Sequence, residues 1–274
     1  MVGRLSTLKL TLDIKMTIEA IKTLEKDTLF DLDHKVVLVT GASSGIGLHL
    51  CSMLLARGCR VVGASRTACE SDALGILDKH YSGNFLAVNM DVSSAPSVDA
   101  AFDTIADAFG HLDVVINNAG MAAPKRAVDM TSDEWAVVID TNLTGPFLVS
   151  RAAVRLMPNG GSIIQVASIG AFKAYVGLSA YNSSKAGVLM LAQTLALELA
   201  PQHIRVNVLA PGYVVTPMND EFLSGPQGEP IRKNIPLRRF AQTKDLDGAI
   251  VFLASSASSY VTGTRLVVDG GCLA

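Results

Sequence analysis

The chain lacks the residues that build several common functional surfaces. Aromatic side chains make up 5% of its 274 residues, too few for a base-stacking platform. The formal net charge is -2, without a long run of one sign. Neither a nucleic-acid groove nor a polybasic membrane patch is expected. No stretch of about 18 consecutive apolar residues occurs, so no membrane-spanning helix is expected. Cys51, Cys59, Cys69 and Cys272 form no C-x-x-C pair, and His34, His49, His80, His111 and His203 stand at no zinc-ligand spacing from them. The expectation is no metal site, and packed, reduced thiols in a cytoplasmic protein. Lys9, Asp13 and Lys15 interrupt the apolar residues near the start, so no signal-peptide core forms. Asp13 is also atypical of a transit peptide. Residues 1–30 are left as an unassigned N-terminal extension.

Apolar residues reach 49%, enough for a large buried core. Runs rich in Val and Ile predict strands at 36–40, 60–65, 85–88, 114–117, 162–167, 205–210 and 266–268. They are apolar nearly throughout, as strands buried on both faces are. Helical segments are predicted between them, at 46–57, 97–109, 133–156, 180–199 and 244–254. This alternation implies an α/β fold: one doubly wound parallel sheet of seven strands with helices on both faces. No linker divides the chain, so residues 31–274 are expected to form a single domain. Pro217, Pro226, Pro230 and Pro236, with Gly225 and Gly228, break the pattern late in the chain. Long irregular segments in compact domains often cover sites, and 213–242 is expected to be a substrate lid.

The first strand runs into Thr40-Gly41-Ala42-Ser43-Ser44-Gly45-Ile46-Gly47 and then a helix. Glycine lets a backbone turn sharply and approach a ligand closely. A helix N-terminus then offers free N–H groups and a positive dipole end to a pyrophosphate. The spacing is G-x-x-x-G-x-G, not the G-x-G-x-x-G of the standard dinucleotide turn. NAD-binding sheets usually carry an acid at the end of the second strand. Here Ser65 and Arg66 stand there instead. The small Ser65 leaves room for a 2′-phosphate, and Arg66 can pair with it bidentately; the alternative is a solvated arginine. NADP(H) is therefore the preferred cofactor, with NAD(H) still usable. Asp91 and Val92, after the third strand, are placed to contact the adenine ring. Asn117-Asn118-Ala119-Gly120 closes the fourth strand with residues small enough to admit a ribose.

Tyr181 and Lys185 are four apart on a predicted helix, hence on one face. A free tyrosine titrates near about 10, and a neighbouring ammonium would lower that value. Ser168 follows the fifth strand, at the sheet edge where open α/β folds bind ligands. Its hydroxyl can stabilise charge developing on a substrate oxygen. Each residue has a plainer alternative. Ser168 would serve as a strand-end cap, Tyr181 as a core residue, Lys185 as a solvated helix charge, and Asn142 as an ordinary helix residue.

Taken in order, residues 40–47, Asp91, 117–120, Asn142, Ser168, Tyr181-x-x-x-Lys185 and Pro211-Gly212 with Thr216 resemble the short-chain dehydrogenase/reductase family. The likeness spans residues 35–271. It is nearest the 3-oxoacyl-carrier-protein reductase and gluconate 5-dehydrogenase group, in the run 236–240 and the stretch 245–271. The resemblance implies hydride transfer between a nicotinamide cofactor and a small-molecule ketone or secondary alcohol. Tyr181 would donate and accept the proton, and Lys185 would also hold the nicotinamide ribose. Asn142 would kink its helix and bind a relay water. Thr216 and the backbone near Val214, after Pro211-Gly212, would hold the carboxamide. Ser44 stands where many NADP-dependent relatives carry a basic residue. The resemblance also implies a homotetramer or homodimer built on 133–156, 180–199 and the last strand. Carrier-protein reductases usually flank the active-site mouth with basic residues. Pro158-Asn159-Gly160-Gly161 and Leu197-Glu198 depart from that, which favours a small hydroxylated ketone over an acyl thioester. A nucleotide-sugar epimerase would need a larger C-terminal substrate region. A catalytically silent dinucleotide-binding regulator would lack Ser168, Tyr181 or Lys185.

Overall fold

Among the described residues, seven strands, all parallel, run in the order β3-β2-β1-β4-β5-β6-β7. They are β1 Val36–Thr40, β2 Arg60–Ser65, β3 Phe85–Asn89, β4 Val114–Asn117, β5 Gly161–Val166, β6 Ile204–Pro211 and β7 Arg265–Val268. The structure is a computed structural model that describes residues 28–274. Nearly all of the N-terminal extension, residues 1–27, lies outside the described residues. The helices are α1 Gly45–Leu55, α2 Asp72–His80, α3 Ala95–Phe109, α4 Ser132–Ile139, α5 Gly145–Ala153, α6 Ser179–Leu199, α7 Asp220–Ser224, α8 Gly228–Asn234 and α9 Asp247–Ala254.

The alternation of side chains along a strand explains the two helical layers. On β1, Val36 and Leu38 join one buried cluster, which receives Val98 and Phe102 of α3, Val149 of α5 and Val188 of α6. Val37 and Val39 join the other, which receives Leu50 and Leu54 of α1, Leu74 of α2 and Ile250 of α9. All five β1 residues are buried, as expected for a central parallel strand. The last strand departs from that expectation. β7 is an edge strand on which Arg265 and Val267 are exposed, because no described element covers its outer side.

The long helix expected over 133–156 is four pieces. α4 starts on a capping box, with Thr131 accepting from the Glu134 amide while Glu134 accepts from the Thr131 amide. It then widens into a π turn at Asp140–Thr144, narrows into α5, and ends in a 3₁₀ turn at Val154–Leu156. π turns break the regular ladder and recur at functional sites. Here the turn holds the fully buried Asn142. The sequence pattern also passed over α2, in which only Leu74 is buried.

The interior behind the sheet edge is polar at one place. Asn117 of β4 and Gln165 of β5 both donate to Ser150 Oγ of α5, at 3.0 and 2.9 Å. All three side chains are buried.

Candidate active site

The strand order reverses between β1 and β4, which is where open sheets of this kind bind ligands. A cleft of about 780 Å³ opens there, beyond the carboxyl ends of the strands. Its floor is a latch between two strand ends. Thr40 Oγ1 accepts from the Asn118 and Ala119 amides at 3.0 and 2.9 Å. Asn118 Nδ2 donates back to Thr40 O at 2.9 Å. The turn after β1 follows from this contact. Gly41 sits at φ 67°, and a Cβ on it would stand 2.9 Å from Ala119 Cα.

Gly41, Ser43, Ser44, Gly45 and Ile46 line the cleft. Gly47, expected to touch the ligand, is not on the cleft wall. A Cβ there would lie 2.1 Å from Gly41 O, so Gly47 lets α1 start directly beneath the turn. The Ser44 side chain makes no cap bond to α1, whose first turn carries no acidic residue. The helix therefore presents its free N–H groups and positive end to the cleft.

Ser65, Arg66, Asp91 and Val92 form the far end. Ser65 Oγ is buried there with no hydrogen-bond partner among the described residues, an unmet polar group of the kind a ligand satisfies. Asp91 is held below the usual carboxylate range, chiefly by the Ser93 hydroxyl, with Arg66 adding to the effect. That places the guanidinium within electrostatic reach of Asp91. Thr67 and Ser93 also line this end. They stand beside residues singled out from the sequence, and that adjacency was the only signal for them.

At the other end, Ser168, Tyr181 and Lys185 meet Asn118, Ala119, Gly120, Pro211, Gly212, Val214 and Thr216. Ser168 lies two residues past β5. It caps the 3₁₀ turn Ile169–Ala171, accepting from the Gly170 amide at 3.0 Å. The same hydroxyl thus caps a turn and lines the cleft, and the bond from Gly170 does not use its proton. Tyr181 and Lys185 both project from α6. Lys185 is buried and donates to Val166 O at 2.8 Å, with Nζ 5.8 Å from the Tyr181 ring centroid. Burial raises the Tyr181 phenol, and the Ser168 hydroxyl beside it pulls the other way. Burial also brings Lys185 down from its ordinary 10.5 to about 8.

Asn142 stands behind the cleft rather than on its wall. Its Oδ1 accepts from the Met121 amide and its Nδ2 donates to Met121 O, each at 2.8 Å. Nδ2 also reaches Ser184 Oγ at 3.1 Å, and Ser184 donates to Tyr181 O at 2.7 Å. The π turn is thereby tied both to the loop after β4 and to the helix that carries Tyr181.

The surrounding loops are pinned in pairs. Lys125 N donates to Gly177 O at 2.8 Å, and Val215 N to Ala241 O at 2.9 Å. Tyr213 meets Tyr175 edge-on, with ring centroids 6.2 Å apart, and Phe240 at the same distance. Among the described residues, no group of three or more His, Cys, Asp or Glu could hold a metal ion.

A doubly wound parallel sheet, with a glycine-rich turn at its switch point and a Ser, Tyr and Lys at one cleft, defines a dinucleotide-type oxidoreductase. The family model described as enoyl-(acyl carrier protein) reductase matches residues 41–272. A D-threitol dehydrogenase of Mycolicibacterium smegmatis is 37% identical over 250 residues, 90% of this chain and 96% of the relative. A 3-oxoacyl-(acyl-carrier-protein) reductase of Synechocystis is 38% identical, over 88% of this chain and 97% of the relative. A crystal structure of a Burkholderia cenocepacia gluconate 5-dehydrogenase, in complex with NADP and tartrate, is similar with a TM-score of 0.85 at 31% identity. It covers 90% of this chain and 98% of that one. The chain belongs to the short-chain dehydrogenase/reductase family, and it is an enzyme that acts on CH–OH and C=O groups.

The buried ammonium has a consequence for stability. An unfolded lysine keeps its proton up to about pH 10.5, whereas the folded Lys185 loses it near pH 8. Between those values the unfolded chain binds more protons, so the stability of the unaltered protein rises with pH. Lys185→Met removes the charge at similar volume. The variant should be more stable than the unaltered chain at pH 7, by up to about 3 kcal/mol before the lost bond to Val166 is counted. Its advantage should shrink between pH 8 and 10.5. Urea midpoints of both proteins across that range measure this; a difference that does not vary with pH would reject burial as the cause.

Proposed function

We propose that the enzyme transfers a hydride between NADP(H) and a small hydroxylated ketone or its secondary alcohol, with Tyr181 as the proton donor and acceptor. The observation that carries this is the placement of one cleft's two ends. Ser168 and Tyr181 stand with the buried Lys185 at one end, and an unpartnered Ser65 hydroxyl beside Arg66 at the other. The NADP complex of the gluconate 5-dehydrogenase and the name of the threitol dehydrogenase support the same reading.

The free N–H groups of α1 would hold the pyrophosphate. Ser65 and Arg66 would hold the 2′-phosphate, Asp91 and Val92 the adenine, and Asn118 to Gly120 the ribose beyond it. Lys185 would reach the nicotinamide ribose, and Val214 with Thr216 the carboxamide. When bound, the dinucleotide supplies or takes up the hydride. In reduction, Tyr181 Oη gives its proton to the substrate oxygen as negative charge develops there. Ser168, its own oxygen already accepting from Gly170, donates to that same substrate oxygen. Lys185, close behind, favours the phenolate that remains, and in oxidation the phenolate takes the proton back. Asn142 keeps Tyr181 in register through Ser184. The segment 213–242, with α7 and α8, would cover the substrate.

A second reading is reduction of a 3-oxoacyl thioester. It is favoured by exposed Phe172 and Val176 after Ser168, and by Met218 and Phe222 on the lid segment. Rates with NADPH on a panel of sugar ketones, sugar acids and a short 3-oxoacyl thioester separate the two. The assembly is proposed as a homodimer or homotetramer. Met190 and Leu197 of α6 stand 64% and 80% exposed, Trp135 of α4 and Phe147 of α5 are also exposed, and β7 leaves an open edge. Closed symmetric assembly would cover such surfaces. Four unpaired cysteines suit a reducing cytoplasm, where we place the protein. Among the described residues no helix is long and apolar enough to cross a membrane.

Tyr181→Phe removes only a hydroxyl, so the fold should persist while turnover falls by about 10²–10⁴-fold; near-normal turnover would exclude Tyr181 from the role. Ser65→Asp with Arg66→Ala should turn a preference for NADPH into one for NADH. A charge-assisted bond corresponds to about 10–150-fold in affinity, and kcat/KM with each cofactor measures it; an unaltered enzyme that prefers NADH would leave Arg66 a solvated charge. Light scattering at micromolar concentration should give the mass of a dimer or tetramer, and a monomer would contradict the assembly.

A further inference from the structure

The segment leaving β6 folds back on itself through one side chain. Asn219 Oδ1 accepts from the Thr216 amide at 2.9 Å and from the Thr216 hydroxyl at 3.2 Å. Asn219 Nδ2 donates to Val214 O at 2.9 Å. Asn219 directly precedes α7, yet its side chain makes no cap bond to that helix. It turns instead toward residues 214–216, and Val214, Thr216 and Asn219 all line the cleft.

These three bonds decide what that wall offers a ligand. A threonine hydroxyl has one proton and two acceptor lone pairs. Once the proton goes to Asn219, the Thr216 oxygen is left as an acceptor. The same side chain engages the Val214 carbonyl. Thr216 also lies beside the glycine-rich turn, where a Cβ on Gly45 would stand 3.6 Å from its Cβ and Cγ2. The side chain is β-branched and stiff at χ1, so its oxygen is fixed in direction as well as in polarity. An oxygen held this way suits an N–H donor and opposes a second acceptor.

We propose that Asn219 is a positioning residue that sets Thr216 as a hydrogen-bond acceptor and so makes this end of the cleft selective for a primary carboxamide. The inference rests on NADP(H) being the cofactor, whose nicotinamide ring carries that group. Without Asn219 the Thr216 hydroxyl rotates freely and offers a donor as readily as an acceptor. The carboxamide then has no advantage over a ketone of the same shape.

Calorimetric titration of the whole chain tests this with three ligands. They are NADPH, its analogue with a methyl ketone in place of the carboxamide, and 2′,5′-ADP as the adenine half alone. The unaltered chain should favour NADPH over the analogue by about two- to tenfold, the worth of one neutral hydrogen bond. Asn219→Ala should bring that ratio near one, as should Thr216→Val, and the double variant should go no further. Asn219→Asp keeps acceptor oxygens for Thr216 and should keep the ratio. Affinity for 2′,5′-ADP should be the same throughout, which reports that each variant is folded. A ratio unchanged in Asn219→Ala, with both dinucleotides weakened equally, would overturn the inference and leave Asn219 a loop tie. So would the absence of any preference in the unaltered chain. Failure of the unaltered chain to bind NADPH would instead overturn the cofactor reading beneath it.

Discussion

The latch between Thr40 and Asn118 is the contact on which the site depends. One threonine hydroxyl accepts two successive amides from the end of β4, and one asparagine amide returns a bond to the end of β1. This happens where the strand order reverses and neighbouring crossovers leave to opposite faces. Without a tie, that junction would splay. With it, the glycine-rich turn is pressed onto β4 at separations that leave no room for a Cβ at Gly41 or Gly47. The start of α1 is aimed by this contact, and with it the free N–H groups at the cleft.

A second layer of polar contacts stands behind the cleft. Asn142, Met121 and Ser184 connect the π turn, the loop after β4 and α6. The Val166 carbonyl fixes Lys185 from β5. Asn142, Ser184 and Lys185 are buried, so their bonds form in a low-dielectric setting, where an unmet polar group is costly. That cost keeps Tyr181 and Lys185 in one arrangement. It also explains why burial governs both of their acidities.

Most of the sheet could be read from the sequence, because a parallel strand covered on both faces is a short run of Val, Ile and Leu. The same rule misread β7, whose Leu-Val-Val core looks buried although one side stays open. The π turn was hidden because apolar periodicity continues through it; only the resemblance pointed to a bend at Asn142. α2 buries a single leucine and offers no stripe, although Ser71 caps it, Asp72 starts it and Lys79 and His80 end it. The residues of the cleft were legible as types at spacings. Their division of labour was not. Gly47 serves packing, Asn142 serves from behind, and Asn219 acts through a neighbour. Each of these roles depends on a long-range contact, or on a side chain turning away from its helix, and neither leaves a periodic trace.

The π turn at Asp140–Thr144 also constrains how this chain can change length. A π turn is one residue more than an α-helix would use, so deleting a residue there would restore a continuous helix. A deletion between the turn and Ser150 has no such slack, and would rotate Ser150 by about 100° about the helix axis. Ser150 would then leave Asn117 and Gln165, which would stand buried with their amide groups unmatched. Insertions and deletions that loops tolerate are therefore closed to that stretch. Its residue count is fixed by hydrogen bonds made at its far end.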